Sequence, residues 1–407
     1  LYFLLTNIYL VGVPRGSGSA LFQQFQSILA VGQGTLLQVG IAPIVTASIV
    51  LQLLGGSRSG LSAAATGQLE ARVRLGDAPA VTRLRLAAGS LELQGSADLR
   101  AGGALDRMSL DRLRIGGWLD VYGALVGRGA GRAPAIRVAG GRVDRGGAPQ
   151  GGWSAVQGGG PVSVALDRLQ ITEGIALTGL EAELTTEGGL SGRFEGQVNG
   201  AAPVAGTLVT TADGPAVRLR AADGGAVLRA AGVFRAAHGG AMELVLQPTG
   251  AAGSYDGTLS MDSPRLRDAP AMAELLNLVS VVGLIDQLGG EGINLGQVDA
   301  RFRLTPTEVI LREGVAVGPS LGLSMDGRYS LDAQQLDMAG VISPLNALNG
   351  LFGALFSTRR EGLFGFAYRL TGPSDSPQVT VNPLSILTPG VFREIFRRPP
   401  PEVTDAP

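Results

Sequence analysis

The feature that most constrains the fold is an alternation of apolar and polar residues that begins at Gln68 and continues along most of the chain. Leu or Val alternates with Arg, Glu or Thr in stretches such as Leu69–Leu75, Val81–Gly95, Ala216–Phe234 and Met242–Gln247. Successive side chains of a β-strand point to opposite faces, so each stretch indicates a strand with one apolar and one solvated face. Turn signals separate the stretches about every ten residues. The sequence therefore predicts a mainly β fold with a long antiparallel sheet.

Helical patterns interrupt this alternation near the C-terminus. Asp268–Gly290 begins with a capping aspartate and a proline, places apolar residues at helical spacing, and ends at a double glycine. Ser343–Phe356 is predicted to be an apolar helix, and a short basic amphipathic helix follows Pro389. That last helix either covers the final sheet edge or closes the end of the sheet and contacts anionic headgroups. Its candidate residues are Phe392, Ile395, Phe396, Arg393 and Arg397.

The N-terminal part of the chain differs from the rest. No charged residue occurs between Arg15 and Arg58, and Ile28–Leu54 is long enough to cross a hydrocarbon core, which needs about 20 residues. Glycines and Pro43 within this stretch indicate broken helices that pack in a multi-helix membrane protein, and the alternative is a simple membrane anchor. We therefore expect membrane-type α-helices before the sheet.

This N-terminal part resembles the SecY protein-translocase subunit in its archaeal form. The residues that carry the resemblance are LYFLLTNIYL at the start and GIAPIVTASIVLQLLGG at Gly40–Gly56. The resemblance implies a first membrane helix, a plug and a second helix, with Ile44, Val45 and Ile49 near the central constriction. The resemblance covers about the first 56 residues. It makes protein translocation an alternative function, in which this part would be a fragment of a channel subunit.

The remainder, about 69–398, resembles the C-terminal region of AsmA-like envelope proteins, especially the YhdP-like branch. The most specific residues are FGFAYRLTGPSDSPQVTVNPLS at Phe364–Ser385 and the proline-glycine pair Pro389-Gly390 before the last helix. The resemblance implies a curled sheet with an apolar groove, anchored in the inner membrane and extending into the periplasm. Such a protein would move phospholipid between the inner and outer membranes and support outer-membrane biogenesis. Membrane lipids, through their acyl chains, are the partners that it implies.

The two resemblances divide the chain into five predicted segments. An archaeal-type membrane piece joined to a proteobacterial-type envelope domain indicates a fusion or a chimeric chain. The predicted segments are membrane helices or an anchor at 1–56, a flexible junction at 57–67, a β-rich sheet at 68–262, a C-terminal region with helices at 263–398 and a disordered tail at 399–407.

Candidate groove residues follow from the alternation in the C-terminal third. A sheet face of Leu, Val and Phe gains about 25 cal/mol for each Å² of apolar surface that it buries, which suits lipid tails. The same pattern also fits a closed core in a periplasmic structural or interaction domain without cargo. The groove candidates are Phe302, Leu304, Val309, Leu311, Leu321, Leu323, Phe364 and Phe366.

Composition argues against catalysis. The chain has no cysteine and a single histidine, His238, in a loop-like setting, so neither a thiolate site nor a Ser-His-Asp triad is available. Acidic residues are scattered at solvated strand positions. A net charge of −1 gives no reason to expect a nucleic-acid partner. We expect a non-enzymatic protein without cofactors or metal, and the sequence identifies no protein partner.

Overall fold

The computed structural model describes residues 36–39, 67–74, 79–100, 104–129, 132–148, 159–251, 253–279, 282–344, 365–374 and 376–382. In this part the chain is mainly β, as the alternation predicts. It forms two compact units, Leu1–Gly196 and Gln197–Pro407.

The first unit is built around a sheet in which strands adjacent in sequence are adjacent in space. Most neighbouring strands are connected as hairpins. The short turns between them keep the apolar residues of both strands on the same face of the sheet. Its strands are β1 (Leu36–Val39), β2 (Gly67–Arg74), β3 (Ala80–Ala88), β4 (Leu91–Leu99), β5 (Leu105–Ile115), β6 (Leu119–Val126), β7 (Ala135–Asp144), β8 (Pro161–Gln170) and β9 (Ala176–Thr185); β10 (Ser191–Val198) lies across the unit boundary.

One strand pair departs from the predicted antiparallel order. β7 and β8 run parallel, with Ile136 opposite Val162 and Val143 opposite Leu169. All other strand pairings of this unit for which the described residues give a register are antiparallel. Apolar residues still meet apolar residues across the parallel pair, so the change of direction leaves the faces of the sheet intact.

The N-terminal segment does not match the expected membrane-type helices where the structure describes it. Leu36–Val39 is a strand whose register with β2 aligns Leu37 with Ala71 and Val39 with Leu69. A strand forms here because Leu-Leu-Gln-Val hydrogen-bonds to the edge of β2, whereas a helix was inferred from hydropathy alone. Within the described ranges, no helix has both the length and the apolar character needed to cross a membrane. The rest of 1–56 and most of the junction at 57–67 lie outside the described residues.

The apolar side chains of the first unit form a deeply buried core. Leu93 of β4 and Leu125 of β6 are each 1% exposed, and Leu86 and Leu113 on the strands beside β4 are also buried. Leu93 lies opposite Leu86 on one side and Leu113 on the other, so one row of leucines crosses three strands.

In its described residues, the second unit has ten antiparallel strands in one sheet and a small three-stranded sheet. Each strand of the large sheet pairs with the next one along this series. The large sheet comprises β11 (Ala202–Thr211), β12 (Gly214–Ala221), β14 (Ala241–Pro248), β15 (Tyr255–Asp262), β18 (Gln297–Leu304), β19 (Glu308–Val317), β20 (Leu321–Ser330), β21 (Gln335–Pro344), β22 (Phe366–Pro373) and β23 (Gln378–Asn382); β13 (Ala237–His238), β16 (Arg265–Leu266) and β17 (Ile293–Asn294) form the small one.

A short helix, α1 (Gly224–Ala230), follows β12 where the alternation predicted a continuous strand through Phe234. The Asp223 carboxylate accepts a hydrogen bond from the Ala226 amide at 2.7 Å, which caps the helix. After this cap, in the sequence Gly-Gly-Ala-Val-Leu-Arg-Ala, apolar and polar residues no longer alternate one by one, so the pattern of a half-buried strand ends at the cap.

Two helices replace the single one predicted at Asp268–Gly290. They are α2 (Pro270–Leu278) and α3 (Val282–Gly289), and α3 ends at the predicted double glycine. The N-cap of α2 is Ala269, without a side-chain cap, so the predicted capping role of Asp268 is wrong. Proline at the first helical position sets the start instead, because its ring fixes a helical φ and its missing N–H has no partner there.

Candidate apolar binding face of the second unit

The register of the large sheet places most of its large apolar side chains on one face, which we call the apolar face, although Ile310 and Val341 are buried on the other face. Residues directly opposite each other on neighbouring strands point to the same side. Leu219 therefore shares a side with Leu244, and Leu244 with Leu259. The same phase continues to the last strand through Met261–Val298, Phe302–Leu311, Val309–Tyr329, Leu323–Ile342, Ile342–Phe366 and Leu370–Val379.

The groove candidates that the structure describes all lie on this face. Phe302 is opposite Leu311, and Leu304 is opposite Val309. Leu323 and Phe366 lie on either side of Ile342. The remaining candidates are Leu321, which is on the same face of β20, and Phe364, which lies outside the described residues.

A helical cap, formed by α2, α3 and the small sheet, covers one end of the apolar face. Leu275 and Leu276 of α2 and Leu284 and Leu288 of α3 form a buried cluster with strand-end residues. Leu276 is 0% exposed. The strand residues of the cluster are Ala316, Leu321, Ile342, Tyr368 and Val379, with Leu323, Phe366, Leu370 and Val381 packed against it. The segment predicted as an apolar helix, Ser343–Phe356, begins instead with Ser343–Pro344, the end of β21, and the rest of that prediction lies outside the described residues.

The other end of the apolar face is only half-buried. We call this part the half-buried stretch, and none of its large side chains reaches full burial. Leu244, Leu246 and Leu259 were not nominated from the sequence, although Met242–Gln247 shows the same alternation as the nominated strands. The half-buried stretch consists of Leu244, Leu246, Leu259, Phe302, Leu304, Val309 and Leu311.

Aromatic rings cover glycines at two points of the apolar face. The Phe302 ring lies over Gly257, its directly opposed partner, so that a Cβ on Gly257 would meet three ring atoms. The Tyr368 ring lies over Gly340, and its hydroxyl donates a hydrogen bond to the Ser324 carbonyl oxygen at 2.9 Å. These pairs replace the missing glycine side chain with apolar area and fix both rings against the sheet.

The opposite face of the large sheet carries its charges. The Arg303 guanidinium donates two hydrogen bonds to Asp256 at 2.9 and 2.8 Å, and these bonds lower the pKa of Asp256. Hydrogen bonds from Arg218 and Arg220 likewise lower the pKa of Glu243. Charge is thus held away from the apolar face, which suits the binding of an uncharged hydrocarbon chain.

The described residues contain no group of three His, Asp or Glu side chains that could hold a metal ion. His238 lies in β13, half-buried, rather than in the exposed loop that the sequence suggested. Burial, followed by the nearby Arg229 and Arg267, lowers the pKa of His238, so its imidazole is neutral at pH 7. The predicted C-terminal helix with Phe392, Arg393, Ile395, Phe396 and Arg397 lies outside the described residues.

Comparison with known proteins gives a match at the N-terminus. The family model described as the plug domain of Sec61p matches residues 1–34. The SecY protein-translocase subunit of Haloferax volcanii is 63% identical over 57 residues, which are 14% of this chain and 12% of that protein. For SecY of Halobacterium salinarum the identity is 65% over 57 residues, which are 14% of this chain and 11% of that protein.

These matches support the SecY resemblance of the N-terminal segment and give no support to the AsmA-like resemblance. The chain spans about an eighth of the length of these curated relatives. No solved structure matches the chain.

Proposed function

We propose that the second unit binds acyl chains on its apolar face, and that this binding serves the movement of phospholipid between the membranes of a cell envelope. The observation that carries the proposal is the half-buried stretch, where seven large apolar side chains on four neighbouring strands keep part of their surface accessible. An acyl chain that covers this surface gains about 0.8 kcal/mol for each buried CH₂ group.

The geometry suits sliding better than fixed binding. The half-buried stretch consists of similar side chains, and its charged groups lie on the other face, so one position of a hydrocarbon chain is energetically close to the next. Directional polar contacts would instead hold a ligand at one point. A non-enzymatic carrier anchored in the inner membrane, with its sheet in the periplasm, is the setting in which we place this activity.

A matched pair of variants tests the proposal. Leu259→Asp puts a charge on the apolar face, whereas Thr258→Asp puts the same charge on the opposite face of the same strand. Both full-length variants are purified from membranes, and the lipid that accompanies each is measured by mass spectrometry. We expect Leu259→Asp to lose most of the retained lipid and Thr258→Asp to keep it.

Folding controls keep this test decisive. Thermal unfolding of each variant separates lost binding from lost structure, and Leu304→Asp repeats the test on β18 if Leu259→Asp does not fold. Equal lipid in the two variants, or none in the wild-type chain, contradicts the proposal.

The comparisons favour a second function, which is a role of the N-terminal segment in protein translocation. They support this function more directly than lipid transport, because 57 residues are 63% identical to a translocase subunit. The segment would act as a fragment of a channel subunit, alongside other membrane helices that complete the pore.

Site-specific crosslinking tests the second function. A photo-crosslinking residue placed at Ile44, Val45 or Ile49 is expected to react with a stalled secretory polypeptide in membranes. The same residue placed at Ala63 in the junction is the control and is expected to give no product. Equal crosslinking from both regions, or none from either, contradicts this function.

A further inference from the structure

Four arginines lie together on the charged face of the first unit. Arg72 of β2 is directly opposite Arg83 of β3. Arg74 and Arg85 lie on the same face, two residues from this pair in opposite directions, because the two strands are antiparallel. All four are exposed. Glu70, opposite Arg85, is the carboxylate that the register brings nearest to this arginine patch.

Several other cross-strand arginines of the described structure pair with a carboxylate on a neighbouring strand, although Arg142 and Arg168, opposite each other on β7 and β8, do not. Arg112 pairs with Asp120 at 2.9 Å, and Arg369 with Asp337 at 3.0 Å, each across neighbouring strands. In the described part of the chain, none of the four patch arginines forms an ion pair with a carboxylate. Like charges directly opposite each other destabilise a sheet, and a bound external anion would relieve this repulsion.

A β-bulge fixes the opposed arginines. The register shifts after the Arg72–Arg83 pair, leaving Thr82 as the extra residue of β3. The Thr82 hydroxyl donates a hydrogen bond to the Arg72 carbonyl oxygen at 3.2 Å. Bulges redirect side chains and are frequent beside functional sites. Here the bulge holds two guanidinium groups on the same side of adjacent strands.

The neighbouring strand indicates which anion the patch meets. On its other edge β2 pairs with β1, and β1 belongs to the stretch between Arg15 and Arg58 that contains no charged residue. The patch therefore lies one strand away from an apolar chain segment. Guanidinium groups bind phosphate oxygens through paired hydrogen bonds, and basic groups next to apolar segments are attracted to anionic bilayers. We propose that Arg72, Arg74, Arg83 and Arg85 bind the phosphate groups of an anionic lipid bilayer surface.

Vesicle binding by the full chain tests this inference, which depends on neither function proposed above. Sedimentation with vesicles of phosphatidylcholine alone is compared with sedimentation with vesicles that also contain phosphatidylglycerol. The wild-type chain is expected to prefer the anionic vesicles, and high salt is expected to weaken this preference. Arg72→Gln/Arg83→Gln should reduce binding to the anionic vesicles by about tenfold and leave binding to neutral vesicles unchanged.

The control removes the same charge elsewhere. Arg218→Gln/Arg220→Gln neutralises two exposed arginines that already pair with Glu243, and it should keep the anionic preference. If the first variant does not fold, Arg74→Gln/Arg85→Gln tests the contribution of the patch to anionic-vesicle binding independently. Equal losses in patch and control variants, wild-type binding by both patch variants, or a wild-type chain without anionic preference would overturn the proposal.

Discussion

The buried row of leucines in the first unit and the half-buried stretch of the second unit follow the same alternation but differ in how far their side chains are buried. In the first unit, Leu93 and Leu125 are each 1% exposed. In the second unit, Leu244 and Leu259 occupy comparable positions between apolar neighbours on both sides, yet they are half-buried. A fully buried face has already contributed its hydrophobic free energy to folding, whereas a half-buried face retains apolar area for a ligand. Sequence periodicity is the same in both cases, so it does not distinguish a core from a binding face.

The largest expected effect compares one leucine from each face. Leu93→Ala should lower the free energy of unfolding of the first unit by about 2–5 kcal/mol, because it leaves a cavity in a packed core. Leu244→Ala should cost the second unit only about 1 kcal/mol, because solvent already reaches that side chain. Urea unfolding monitored by hydrogen exchange of peptides from each unit measures both changes. Losses of equal size would remove the distinction between the two faces.

A smaller effect tests how the second unit holds its half-buried stretch. Gly257→Ala should destabilise it by about 1–3 kcal/mol, because the new methyl group displaces the Phe302 ring. In a Phe302→Ala background the same substitution should cost much less, since the obstructing ring is gone. A double-mutant cycle followed by urea unfolding gives this coupling. Additive losses would show that the packing of the Phe302 ring does not require a glycine at position 257.

The smallest effect concerns the charged faces, which we expect to behave alike in the two units. A hydrogen bond from Arg112 lowers the pKa of Asp120 in the first unit, as Arg303 does for Asp256 in the second. A lowered carboxyl pKa stabilises the fold above the unfolded-state pKa, and this stability is lost as pH falls through the folded-state pKa.

Asp120→Asn and Asp256→Asn should therefore each cost less than about 1 kcal/mol at pH 7, because solvent screens these partly exposed pairs. Each cost should shrink as the pH falls below the usual Asp range, because the wild-type carboxyls then become protonated. Thermal unfolding from pH 7 to pH 2 measures the difference, with Asp262→Asn as an exposed control. A large loss in one unit alone would extend the difference between the units to their charged faces.

Much of the fold could be predicted because period-two alternation is a local signal. It identified the strands that carry Phe302, Leu304, Val309 and Leu311, and it placed these residues on one face. Whether that face is covered depends on distant parts of the chain, so the sequence left open the choice between a closed core and an accessible face.

The errors have local causes as well. Hydropathy predicted a membrane helix through Leu36–Val39, but hydrogen bonds to β2 hold these residues as a strand. The alternation predicted a strand where α1 forms, and the clear sequence signal for this helix was its capping residue, Asp223. The parallel pairing of β7 and β8 had no sequence signal, because the alternation looks the same whichever direction a strand runs.

The position of the helical cap in the chain bears on how such a sheet changes over evolution. Asp262 at the end of β15 is directly opposite Gln297 at the start of β18, and residues 263–296 form the whole excursion between them. This connection begins and ends at directly opposed residues of neighbouring strands. Loss or replacement of the connection would therefore leave every strand register of the large sheet unchanged. A single insertion or deletion there would alter how much of the apolar face is covered without rebuilding the sheet. The part of the cap in residues 263–296, with α2, α3, β16 and β17, is thus a separable module, whereas β13 joins the cap from the connection between β12 and β14. The accessible length of the face can therefore vary independently of the number of strands in the large sheet.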